Sequence, residues 1–119
     1  MTLSPLLLEH FKRPRRTGRL DAPTARGTAD NPGCGDLVEI EVRVVGDALD
    51  AARFLARGCS ATIAGASFVL ERAESRRVDE ILAFDADVLW AEVGERSEAR
   101  RHGVVLALDA LKRALRGSP

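Results

Sequence analysis

Between Leu37 and Val45 apolar and polar positions alternate: Val38, Ile40, Val42 and Val44 take one side, Glu39, Glu41 and Arg43 the other. A period of two predicts a half-buried strand. Gly46-Asp47 predicts a turn, and a second strand follows from about Leu49 to Ala56, antiparallel to the first because the connection is short. Before the strands, Leu3, Leu6, Leu7 and Phe11 repeat at helical spacing, with Ser4 as cap, Pro5 at the first helical position and Pro14 as the stop. From Arg15 to Gly35 no period is visible, and the segment reads as an irregular loop holding at most one short strand. Beyond the hairpin the pattern turns helical. Ser60 to Ala73 carries Ile63, Ala66, Val69 and Leu70 on one side, and Val78 to Val93 reads as one or two short helices broken near Phe84-Asp85. Ser97 opens a last helix with Glu98 in its first turn, Val104, Leu108, Leu111 and Leu115 as its stripe, and Gly117 as its end. Two or three strands followed by helices predict an α+β layer, with one sheet face covered and the other polar.

Composition narrows the class. At 119 residues, 45% hydrophobic and 30% charged, the chain is expected to form a single domain over 1–119 with one core. Eighteen basic residues balance eighteen acidic ones, so no global charge draws it to nucleic acid or to an anionic membrane. The longest uncharged run, Gly58 to Leu70, is thirteen residues, too short for the roughly twenty that a membrane span needs. Met1 to Leu8 has neither a basic n-region nor a small-residue cleavage site, and two cysteines do not make a disulfide framework. A cytoplasmic location with reduced thiols is the expectation.

Both cysteines sit in glycine-bearing turns. Asn31-Pro32-Gly33-Cys34-Gly35-Asp36 precedes the first strand of the hairpin, and Arg57-Gly58-Cys59-Ser60-Ala61 joins its second strand to a helix. Free N–H groups and the dipole at that helix start favour a Cys59 thiolate. With Asp36 and His102, the two sulfurs make four possible ligands for zinc or iron. Each also has a plainer reading: a cysteine as a small buried hydrophobe, Asp36 as a turn cap, His102 as a surface residue. His10 reads as a partly buried packing residue. Lys12-Arg13-Pro14-Arg15-Arg16 and Arg100-Arg101 read as solvated faces or as docking patches for an acidic partner. No phosphate-binding loop, dinucleotide fingerprint or nucleophile–base pair is present.

Three of these segments together resemble the U-type iron–sulfur cluster scaffold family, which includes IscU, SufU and the N-terminal domain of NifU. Asn31 to Asp36 is similar to the family's Asn-Pro-x-Cys-Gly-Asp motif. Gly58-Cys59-Ser60-Ala61-Thr62-Ile63-Ala64-Gly65-Ala66-Ser67 resembles its second cysteine segment. Glu9 to Gly18 resembles its opening His-aromatic-x-x-Pro-Arg-Asn-x-Gly run, with Arg16 where Asn is usual, and Leu106 to Leu115 follows its last helix.

The resemblance implies a small, mainly antiparallel three-stranded sheet with helices packed on it, the third strand lying around Leu20 to Ala29. It implies a cluster or metal site of Cys34, Asp36, Cys59 and His102, with no turnover chemistry. The implied cargo is an iron–sulfur cluster, [2Fe–2S] foremost, or Zn2+. The implied partners are a cysteine desulfurase and recipient apo-proteins, with the chain a monomer or weak dimer. The alternatives are a zinc-containing sulfur acceptor and a paralogue that binds the desulfurase without a cluster. One departure stands out: the family's third cysteine falls directly after the histidine, where this chain has Gly103. The SufU insertion between the cysteine segments and the chaperone-read Leu-Pro-Pro-Val-Lys segment are also missing, the latter replaced by Ser97 to Arg101.

Overall fold

A computed structural model describes residues 3–33 and 35–117. Three antiparallel strands form one sheet in the order β1-β2-β3: β1 (Ala25–Asn31), β2 (Asp36–Val45) and β3 (Ala48–Arg57). Five α-helices accompany it: α1 (Pro5–Lys12), α2 (Ser60–Ala73), α3 (Val78–Leu82), α4 (Ala86–Val93) and α5 (His102–Arg116).

The alternation in β2 does what its period requires. Val38, Ile40 and Val42 are wholly buried against Leu49, Ala52 and Phe54 of β3 and against α2 and α5. Leu49 and Ala52 are three apart yet share that face because Asp50 is an extra residue: Val44 pairs with Leu49 and Arg43 with Ala51. This bulge restores the phase of β3. From the helices, Phe68, Val69 and Leu70 of α2 and Val104, Leu108 and Leu111 of α5 close the core. Truncating such a side chain to alanine costs about 2–5 kcal/mol.

Five details differ from the sequence reading. The third strand is Ala25–Asn31 rather than a stretch starting near Leu20, since residues 13–24 have another task. Arg16 and Gly18 exchange backbone hydrogen bonds with Phe54 along the free edge of β3, and Leu20 N–H then donates to Glu41 on the outer face. The polar face is therefore partly covered: Glu41 is only 3% exposed, held by Arg19 and by Arg26 at 2.6 Å. The edge is shielded by the same segment, which removes a template for strand pairing.

Several members of the basic runs are ion-paired, while Lys12 and Arg13 are exposed. Arg15 and Arg16 reach Glu9 and Glu74 at 3.0 Å, and Arg100 reaches the nearly buried Glu95. His10 is fully buried, with Nδ1 2.7 Å from Ser67 Oγ and Nε2 3.3 Å from Glu71. Finally, Ser97 caps a single 3-10 turn, Glu98–Arg100, and α5 proper begins at His102. That delay places the histidine in the first turn of α5.

Candidate metal centre

The starts of β2, α2 and α5 meet at one end of the sheet. β2 opens on Asp36, and Leu37 pairs with Arg57, so Asp36 lies beside the chain leaving β3 at Gly58. Gly58 adopts φ +149°, and a Cβ there would stand 2.9 Å from Asp36 Cγ and 3.1 Å from Thr62 Oγ1. Only glycine lets the carboxylate come so close. Cys59 follows as the N-cap of α2, and Asp36 is buried while Cys59 is exposed.

Three of the four predicted residues converge. One ligand atom each from Asp36, Cys59 and His102 lies within 4.8 Å of the others. His102 Nε2 is 2.7 Å from Asp36 Oδ2 and 3.6 Å from Cys59 Sγ. A tetrahedral metal with bonds of about 2.0–2.3 Å sets its ligands roughly 3.3–3.8 Å apart. The Cys–His edge already has that length, and the Asp–His edge needs to open by about half an ångström. The fourth residue, Cys34, lies outside the described residues.

Both carboxylate and sulfur face the same imidazole nitrogen. The other nitrogen, Nδ1, is 2.7 Å from the carbonyl oxygen of Ala99 and donates to it. In a nucleophile–base–acid relay the two partners occupy opposite nitrogens. Here they share one point in space, and the carbonyl fixes the tautomer that leaves Nε2 for that point. This is how a metal-binding histidine is oriented.

Electrostatics agree. α2 and α5 both begin at the site, and each helix start carries partial positive charge that stabilises anions. Burial alone would push the Cys59 thiol up. Hydrogen bonds from the Thr62 hydroxyl and N–H, from His102 and from Ala61 N–H outweigh it, and the thiol lies below its ordinary range. A depressed thiol presents the thiolate that metals require.

Comparison with known proteins places this geometry. The family model described as NifU-like N terminal domain matches residues 3–117. The chain belongs to this family. Over 112 residues it is 33% identical to iron-sulfur cluster assembly scaffold protein IscU 1 of Archaeoglobus fulgidus, covering 94% of this chain and 73% of that one. Over 120 residues it is 31% identical to the scaffold protein IscU of Escherichia coli strain K12, covering 97% and 92%. The crystal structure of a putative SUF-system cluster assembly scaffold protein from Fervidobacterium islandicum AW-1 superposes with a TM-score of 0.77 over 94% of this chain and 95% of its own. At 19% identity that likeness speaks for the fold. The three-stranded sheet with packed helices is thus the fold this NifU-like domain was expected to have.

In this NifU-like domain position 103 lies in the contact between α2 and α5. A Cβ on Gly103 would fall on the carbonyl oxygen of Ala61 and stand 2.9 Å from its carbonyl carbon and from Thr62 Cα. Opposite it, a Cβ on Gly65 would stand 2.7 Å from the carbonyl carbon of Gly103. The two glycines let α2 and α5 touch backbone to backbone, so position 103 is turned into the helix contact. One participant escaped the sequence reading. Thr62, wholly buried, has its hydroxyl 3.5 Å from Cys59 Sγ and 3.4 Å from His102 Nε2. The only sequence signal was its place three residues after the N-cap, where a side chain lies over the helix start.

Proposed function

We propose that this chain is an iron–sulfur cluster assembly scaffold that holds its cargo through Cys34, Asp36, Cys59 and His102. The observation that carries the reading is the convergence of carboxylate, thiolate and imidazole on one point at two helix starts. Membership of a family whose relatives are named scaffold proteins supports it.

Two sulfurs donate less charge than a cysteine-rich set, and a carboxylate exchanges readily, so the site suits a [2Fe–2S] cluster that is held and then passed on. Asp36 is the exchangeable member, and the Ala99 carbonyl keeps His102 aimed. The chain supplies ligands and orientation rather than turnover. Sulfur would come from a cysteine desulfurase as a persulfide, its outer sulfur passing to the Cys34 or Cys59 thiolate with the desulfurase thiolate as leaving group, since Gly103 cannot accept it. A two-electron reductant would release it as sulfide, and recipient apo-proteins would take the cluster. Among the described residues no helix is long and apolar enough to cross a membrane.

The test is transfer. Chain loaded anaerobically with iron and sulfide is mixed with an apo-ferredoxin, and circular dichroism in the visible follows the cluster. Appearance of the ferredoxin spectrum faster than from free iron and sulfide supports the scaffold reading. Binding of one zinc ion with no cluster at any iron-to-sulfide ratio would replace it by the zinc-containing sulfur acceptor.

A further inference from the structure

Where the hydroxyl proton of Thr62 goes follows by elimination. Its two partners are Cys59 Sγ at 3.5 Å and His102 Nε2 at 3.4 Å. Nε2 is also 2.7 Å from the Asp36 carboxylate, at the point where the metal reading places an ion. When Nε2 binds a metal its lone pair is committed to the ion, and the nitrogen cannot accept from the hydroxyl. A ligating thiolate keeps lone pairs and has no proton of its own, so the sulfur is the acceptor left.

The surroundings keep that hydroxyl in place. Thr62 is wholly buried in the first turn of α2, its N–H bonded to the Cys59 carbonyl at 3.0 Å. A β-branched side chain in a helix has restricted χ1, so the hydroxyl does not swing freely. The Gly58 and Gly103 backbones pack close by, a Cβ on Gly58 standing 3.1 Å from Thr62 Oγ1 and one on Gly103 2.9 Å from Thr62 Cα. A buried hydroxyl without an acceptor is destabilising, and the thiolate removes that cost.

We propose that Thr62 is a positioning residue of this site, whose O–H donates to the Cys59 thiolate and tunes how strongly that sulfur gives charge to bound metal. The inference rests on the metal reading above and adds to it a residue that is no ligand. A hydrogen bond to a ligating sulfur draws electron density from the metal–sulfur bond, one of the ways a protein sets the potential of an iron–sulfur centre. With a sulfur absent at position 103, the donor strength of each remaining sulfur weighs more.

The experiment uses Co2+ as the probe, titrated anaerobically into the full chain and into Thr62→Val, Thr62→Ala and Thr62→Ser. Far-ultraviolet circular dichroism and melting temperature establish that each variant is folded, and the alanine variant serves if valine does not fold. The expected result is a sulfur-to-cobalt charge-transfer band at lower energy in the variants without a hydroxyl, with Thr62→Ser at the wild-type position. Bands that coincide in wild type and Thr62→Val, or a serine variant displaced like valine, overturn the role of Thr62 while the metal site stands. No sulfur band in the wild type removes the metal reading and this proposal together.

Discussion

The peptide backbone of Gly103 lies against the carbonyl group of Ala61 with no space for a side chain between them, a Cβ there standing 2.9 Å from the carbonyl carbon. Restoring the cysteine expected at this position therefore does not restore a ligand. Gly103→Cys must push α5 away from α2, and overpacking of this kind costs about 1–3 kcal/mol. Urea unfolding is expected to show that loss, with Gly103→Ala similar, because the clash begins at Cβ. Tighter iron binding by Gly103→Cys at unchanged stability would show that the helices part without penalty.

Gly58 offers a second geometric check. Its φ of +149° strains any other residue, and a Cβ would press on Asp36 and Thr62. Gly58→Ala is expected to lower stability by about 1–3 kcal/mol and to weaken metal retention by displacing the carboxylate. Competition with a chromogenic chelator measures the second effect. Retention equal to wild type would mean Asp36 is dispensable.

His10 gives a pH dependence whose sign is fixed. Burial pushes its imidazole below the ordinary value of 6.5, and nearby Arg15 adds to that, against the opposing pull of Glu71 and Glu9. The unfolded chain therefore takes up this proton first. Its contribution to stability is complete above 6.5 and is lost as the pH falls below that value. The urea midpoint of the wild type should drop from about pH 7.5 to about pH 5.5, and less so in His10→Gln, which cannot take the proton. Equal drops in both chains would assign the effect elsewhere.

How far the sequence announced these features depends on their range. The hairpin, the helix pair broken at Phe84-Asp85 and the capped α1 are local patterns, and each appears where its residues predict. β1 carries a weak local signal because its inward-facing residues Ala25, Gly27 and Ala29 are all small and leave no clear apolar alternation. Covering of the polar face by residues 13–24 depends on Glu41 meeting Arg19, Arg26 and Leu20 across the sheet, a long-range arrangement with no local signature. At the site, Asp36, Cys59 and His102 were visible as chemistry, and only the fold brings them to one point. The closed contact at Gly103 and the hydroxyl of Thr62 depend on how α5 crosses α2, which no spacing within either helix encodes.

The central claim is that the two thiolates, Asp36 and His102 hold an iron–sulfur cluster without a sulfur at position 103. Anaerobic reconstitution with iron and sulfide tests it most directly, with visible absorption and iron per chain read for wild type, Cys34→Ala, Cys59→Ala and His102→Ala. The account predicts a sulfur-to-iron charge-transfer spectrum in the wild type, its loss in either cysteine variant, and iron affinity lowered at least about tenfold in His102→Ala. A colourless wild type, or a spectrum that survives Cys59→Ala unchanged, would contradict it.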